Sequence, residues 1–234
     1  WGAQFLLQCT SKKMEENTLR KHRLSIYSQK CFHQLIDETH ISYHENKNGL
    51  VYFFRTQESF QEGSQKLAML NSVMKNLQLL NRTELLQLEP VLSRSQTEIY
   101  GGIYYPTDES GICRDFTLEL VKICMGKGAS FHYNTTILNI EKDKNSIKKI
   151  YTDKGDFQAD KYVLACAAFS PLIARMVGEY LPIYPVKGYS MTLPILDQKK
   201  VPEHSGIDED NLLAFSLLGD KIRFTSVAEI SGYD

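Results

Sequence analysis

Between Ala159 and Ile195 the chain reads ADKYVLACAAFSPLIARMVGEYLPIYPVKGYSMTLPI, and this stretch narrows the possible folds more than any other. It opens on an apolar run, Tyr162 to Ala168, of β-branched and small residues, too short for a helix and bounded by charge. The pattern predicts a strand buried on both faces, as in the parallel sheet of an α/β domain. Small residues at its carboxyl end leave room for a backbone or a ligand. Ser170-Pro171 then fits a helix start, with Ser at the N-cap and Pro at the first helical position. Ligands of open α/β sheets sit outside the carboxyl ends of strands, so Ala165 to Ser170 is a candidate cofactor site. A core strand running into a surface helix satisfies the same pattern, because fold alone does not supply function.

A chain of 234 residues can bury one large core or two small ones. Its 27 basic and 28 acidic residues leave no charge excess of the kind nucleic-acid binding needs, although Ser11 to Arg23 is locally basic. No apolar run approaches the roughly 18 residues of a membrane span. The opening Trp-Gly-Ala-Gln-Phe has neither an initiator Met nor a signal pattern and reads as a cut end. Cys9, Cys31, Cys113, Cys124 and Cys166 form no CxxC pair, which predicts free thiols in a reducing, cytoplasmic compartment. His33, His40 and His44 lack metal-ligand spacing, and Gly126-Lys127-Gly128 lacks Walker spacing; neither a metal site nor a phosphate loop is expected.

Taken in order, Glu16 to Glu38 has a helical stripe of Leu24, Tyr27, Cys31 and Leu35. Ile41 to Phe54 is two apolar runs around Asn48-Gly49, a hairpin signal, with Val51 and Phe53 facing one way and Tyr52 and Phe54 the other. A helix is expected over Gln57 to Met74, with Phe60, Leu67, Leu70 and Met74 inward. Asn81 to Glu84 resembles a capping box for a helix that Pro90 ends. Ile99 to Pro106 reads as a strand whose glycines admit a close backbone. A helix follows from Asp115, as N-cap, to Met125. From Phe131 a strand and a meander are expected, turning at Lys144-Asn145 and Lys154-Gly155. Gln198 to Asp210 reads as a polar loop, and Leu212 to Leu218 with Ile222 to Ala228 as a closing hairpin.

Four passages carry a family resemblance: Gly49 to Thr56, Gly101 to Cys113, Ile183 to Pro194 and Ile222 to Glu229. In order and spacing the sequence resembles the FAD-dependent amino-acid oxidoreductases, notably the D-amino-acid dehydrogenase small subunits; Lys187-Gly-Tyr-Ser190 is the most specific piece. The resemblance implies an α+β fold. A mixed, largely antiparallel sheet flanked by helices would form a substrate domain over residues 1–110 and 176–234. An incomplete dinucleotide-binding α/β domain would occupy residues 111–175. It also implies that the GxGxxG turn for the pyrophosphate precedes Trp1 and that a closing segment follows Asp234.

The family reaction is loss of a hydride from the α-carbon of a D-amino acid to flavin, giving an imino acid that hydrolyses. Such a site needs a cation or hydroxyl pair for the substrate carboxylate on a rigid strand. Lys187 and Tyr189 share a direction on one strand, Arg223 and Thr225 on another, and Tyr104 could border the same sheet face. Without the resemblance, Lys187 is a strand-edge charge and Tyr189 a half-buried aromatic. For FAD, the resemblance maps Ile137 beside the adenine, and Ala165, Ala167, Ala168 and Ser170 near the phosphates and ribityl chain. Family members usually carry Gly at Ala167 and a Gly-Gly pair at Thr225-Ser226; an added Cβ there costs contact distance. FAD is therefore expected in the intact family but not to be retained by this chain alone. The implied partner is a small amino-acid substrate, with association to the inner face of a membrane where electrons reach the respiratory chain. A truncated, non-catalytic binding module is the alternative, and a relative acting on glycine or sarcosine a third reading.

Overall fold

The computed structural model describes residues 2–70, 77–144 and 146–233, the side chains of residues 66 and 68–70 excepted. The expectations for Met74, the Leu70 side chain and Asn145 lie outside that set. In chain order the elements are Gly2–Leu6 (α1), Ser11–Thr39 (α2), Leu50–Phe54 (β1), Gln57–Leu70 (α3), Gln78–Asn81 (β2), Arg82–Leu88 (α4), Gly101–Tyr105 (β3) and Cys113–Gly126 (α5). The meander Ile137–Lys142 (β4), Ile147–Thr152 (β5) and Gly155–Phe157 (β6) leads to Ser170–Met176 (α6). Lys187–Pro194 (β7), Ser205–Asp208 (β8), Leu213–Leu218 (β9) and Lys221–Glu229 (β10) complete the fold. It is a mixed α/β architecture with a mostly antiparallel main sheet. Among the described residues no helix is long and apolar enough to cross a membrane.

Local chemistry explains where the sequence signals hold. The capping box is complete: Glu84 N–H donates to Asn81 Oδ1 at 3.1 Å and Asn81 N–H to Glu84 Oε2 at 2.8 Å. Pro90 ends α4 and opens a 3₁₀ turn over Pro90–Arg94. Gly101 and Gly102 are needed as expected, since a Cβ would lie 2.8 Å from Leu80 O at the first and 2.7 Å from Tyr52 O at the second. The final hairpin forms in register, Phe224 opposite Phe215.

Five expectations are corrected. The apolar run at Tyr162 to Ala168 is not a buried strand: residues 161–166 carry no ladder, Val163 is 89 % exposed, and Ala167–Phe169 is a 3₁₀ turn. A strand exists only where neighbours satisfy its N–H and C=O groups, and no described strand pairs with this one. The Asn48-Gly49 hairpin does not close, because the first arm is already engaged: Ile112 N–H donates to Tyr43 O at 2.7 Å, Asn46 pairs with Ser110, and Asn48 N–H turns onto Asn46 Oδ1. On α2, Leu24, Tyr27 and Cys31 are exposed; Phe32 instead packs on Phe116 and Tyr43 at 5.1 and 5.4 Å between ring centroids. The strand expected from Phe131 begins only at Ile137, Thr136 N–H being held by Asp153 Oδ1 at 2.8 Å. The polar stretch at Gln198 to Asp210 contains β8, buried because Gly206 admits the Phe215 ring and Asp208 pairs with Arg55 at 2.6 Å.

The chain divides into two compact units. The larger (Ser11–Ile123 and Gly188–Ala228) holds a seven-stranded sheet in the order β2-β3-β1-β8-β9-β10-β7. β1 pairs antiparallel with β3 and parallel with β8. One sheet face carries Val51, Phe53, Phe215 and Ile222 and packs with Leu85 of α4; the other carries Phe54 and Ile103 and packs with Leu67 of α3. The expected split of Val51 and Phe53 from Tyr52 and Phe54 is what directs these two cores. The smaller unit (Trp1–Thr10, Cys124–Lys187 and Glu229–Asp234) is built on the antiparallel sheet β4-β5-β6 and α6.

Candidate functional site

The larger unit presents one sheet face with the chemistry to hold an anion. Its register runs Tyr52–Ile207–Ala214–Thr225 from strand to strand, with Arg223 opposite Ser216 one step along. Arg223 is exposed, and its Nε–H donates to Thr192 Oγ1 on β7 at 2.9 Å. That bond fixes the guanidinium, while no carboxylate lies within 4.0 Å of its nitrogens among the described residues. A planar fork held from behind and unpaired in front suits a carboxylate ligand. Thr225, two residues on, adds a hydroxyl on the same side.

Tyr104 does not join them. It lies opposite Val51 in the β1–β3 ladder, so its ring belongs to the other sheet face. There its hydroxyl donates to Asn48 O at 2.8 Å, and its ring meets His204 edge-on at 5.3 Å. The expectation that Tyr104 borders the face of Arg223 is corrected by this one-residue parity. Tyr189 lies three residues from Thr192 on β7, which alternation puts on the face opposite Arg223; it is 54 % exposed. Lys187 is half-buried at the first position of β7 and falls in the smaller unit.

Tyr52 and Tyr105 are what sequence reasoning overlooked. Their rings are 5.1 Å apart on the Arg223 face. Burial, aided by the neighbouring Tyr105 and by the charges of Glu209 and Asp108, pushes the Tyr52 hydroxyl up to about 12. Burial also raises Tyr105. The signal for Tyr52 was present in the alternation after Gly49, which set it apart from Val51 and Phe53.

In the smaller unit, Ile137 opens β4, Ala165 and Ala167 are exposed, Ala168 is half-buried and Ser170 is buried. A dinucleotide diphosphate needs several convergent backbone N–H donors. Here Phe169 N–H donates to Cys166 O, Ser170 N–H to Ala167 O, and Pro171 has none to offer. Ala168 O is taken by the Tyr233 hydroxyl at 2.7 Å. Ala167 adopts φ +45°, a left-handed conformation suited to glycine, and its Cβ stands where the resemblance expects none. Ser170 is the first residue of α6 rather than its cap and makes no capping bond. These five residues do not by themselves form a cradle for FAD. Among the described residues no group of His, Cys, Asp or Glu has the geometry of a metal site.

A family model for FAD dependent oxidoreductase matches residues 4–234. A D-amino acid dehydrogenase of Granulibacter bethesdensis is 38 % identical over 234 residues, covering 100 % of this chain and 56 % of the relative. A D-amino acid dehydrogenase of Neisseria meningitidis is 36 % identical over 233 residues, with the same coverage. Among solved structures, glycine oxidase from Geobacillus kaustophilus superposes with a TM-score of 0.76 at 19 % identity, over 92 % of this chain and 56 % of that one. L-proline dehydrogenase from P. horikoshii gives 0.76 at 18 % identity, over 91 % and 57 %. These two likenesses speak for the fold alone. The chain spans about 56 % of the length of the curated relatives it matches. It belongs to the FAD-dependent oxidoreductase family.

Proposed function

We propose that this chain is the substrate-gripping portion of an enzyme that oxidatively deaminates D-amino acids with FAD. The larger unit is read as the substrate domain and the smaller as a part of the FAD domain. One observation carries the reading: Arg223, oriented by Thr192, offers its terminal nitrogens to a carboxylate on the face shared with Thr225, Tyr52 and Tyr105. The names of the relatives support the D-amino acid as substrate. When bound, FAD would accept the two electrons of the substrate C–H bond; these residues would bind and orient the carboxylate. Lys187 and Tyr189, whose positions on β7 alternate to the face opposite Arg223, are not part of this carboxylate site, and the small-residue turn at 165–170 is proposed as part of the flavin's surroundings. For this chain alone we infer no flavin uptake and no catalysis, because the Phe169 and Ser170 N–H groups are already used and Pro171 has none.

The test is made in the full-length enzyme with D-alanine. Arg223→Met should raise KM, lowering kcat/KM roughly 10- to 100-fold, the worth of a charge-assisted pair. Flavin content should not change. Tyr104→Phe should leave kcat/KM as it is. Equal losses in both variants, or no loss in Arg223→Met, would refute the assignment of this face.

A further inference from the structure

The apolar stripe of α2 faces away from the larger unit to which the helix belongs. Three residues hold α2 in place: Gln29 Nε2–H donates to Thr107 O at 3.0 Å, Phe32 packs on Phe116 and Tyr43, and His33 bonds Glu109. With about 3.6 residues per turn these three share one side of the helix, and Leu24, Tyr27 and Cys31 lie on the opposite side. No residue of α2 is buried; Leu24 is 67 % exposed, Tyr27 65 %, and Cys31 is exposed too. A surface helix turns its apolar stripe to a core, so one that turns it outward presents a docking face.

The charges at the two ends of this stripe are opposite. Arg20 stands on the same line before Leu24, and Gln34 and Glu38 continue it after Cys31; the six residues fall within an arc of about 80°. Arg23 and Asp37 flank the line on one side. None of these four charged groups has an ion-pair partner within 4.0 Å among the described residues; Glu38 Oε1 accepts from Gln34 Nε2–H at 2.8 Å. Within one helix Arg20 and Glu38 are roughly 27 Å apart at the usual rise per residue, too far to neutralise each other. A second copy running antiparallel resolves this. A two-fold axis midway between Tyr27 and Cys31 puts Tyr27 opposite Cys31, Leu24 opposite Gln34, Arg20 opposite Glu38 and, alongside, Arg23 opposite Asp37. In heptad terms Leu24, Cys31 and Glu38 are a positions and Arg20, Tyr27 and Gln34 are d positions, so each layer joins an a to a d. A parallel pair would set Arg20 on Arg20 and Glu38 on Glu38. Lys30 meets its own copy beside the axis, the one like-charge contact of the antiparallel register.

We propose that α2 docks on α2 of a second copy of this chain, antiparallel, with Tyr27 against Cys31 at the centre and Arg20 against Glu38 at each end. The contact is isologous and closes as a dimer. Its apolar centre is short, so the dimer is weak, and its end pairs are exposed, so it loosens with salt. The contact is independent of the Arg223 face.

Sedimentation equilibrium of the 234-residue chain, under reducing conditions and over a range of concentrations, reads the association. A reversible monomer–dimer equilibrium that weakens with salt is expected. Leu24→Glu alters an exposed side chain and leaves the fold alone; it should weaken the dimer about tenfold or more. Arg20→Glu and Glu38→Arg should each weaken it about tenfold, and the two together should restore it, because each reversed charge then meets the other across the axis. A merely structural effect on α2 gives no such rescue. Lys30→Ala should tighten the dimer. A chain that stays monomeric at every concentration would overturn the proposal and leave the stripe to the further length that the relatives have. A dimer indifferent to Leu24→Glu, or a double reversal as weak as either single one, would overturn it too.

Discussion

Ala167 and Val227 are two of six non-glycine residues with a positive φ among the described residues. Ala167 at φ +45° and Val227 at φ +61° sit in the left-handed region, where a Cβ costs about 1–2 kcal/mol and a β-branched side chain is a marked outlier. Gly at either position relieves that strain but adds unfolded-state entropy, so Ala167→Gly and Val227→Gly should each stabilise by roughly 0.5–1 kcal/mol in urea unfolding. A loss of stability in both would mean that the side chains are held by contacts that outweigh the strain. Tyr52 makes a prediction of a different kind. Its folded pKa, raised from 10.0 to about 12, favours the neutral phenol in the native state. The stability it contributes is whole below pH 10 and is lost as pH rises through about 12. Alkaline unfolding curves should show that loss, smaller in Tyr52→Phe; identical curves would place Tyr52 in water. The departure from glycine at position 167 was readable from sequence by comparison of residue types. Val227 was not, because no local sequence signal marks its left-handed φ.

At the scale of elements, what was readable depended on how local the cause was. The capping box at Asn81 to Glu84 and the hairpin of β9 and β10 rest on contacts a few residues apart, and both form as expected. The run at Tyr162 to Ala168 and the Asn48-Gly49 turn depend on which distant strand arrives to pair, and both were misread. β8 was hidden by its polarity. It is fixed by a buried carboxylate, Glu89, at the end of α4. Glu89 is 2 % exposed; its Oε1 accepts from Glu203 N–H at 2.9 Å and His204 N–H at 2.6 Å and lies 2.5 Å from His204 Nδ1. Glu89→Ala would orphan all three partners and should cost about 3–5 kcal/mol, read as a lower urea midpoint. A change no larger than that of an ordinary surface substitution would show that the segment leading into β8 is anchored elsewhere.

For the whole molecule, family membership and the sheet-plus-helix architecture could be foreseen because four separated passages kept their order and spacing over the chain. The site could be foreseen only in part. Arg223 and Thr225 share a direction on β10 as alternation implies, but strand parity across the sheet puts Tyr104 on the other face and Tyr52 and Tyr105 on theirs. The larger unit thus presents the Arg223 guanidinium with no carboxylate within 4.0 Å among the described residues, whereas at the turn after Cys166 the Phe169 and Ser170 N–H groups are already used and Pro171 has none. Equilibrium titration of the 234-residue chain with FAD, read by quenching of flavin fluorescence, tests that division most directly. No saturable quenching at micromolar FAD is the result predicted; stoichiometric uptake of one FAD per chain would contradict it.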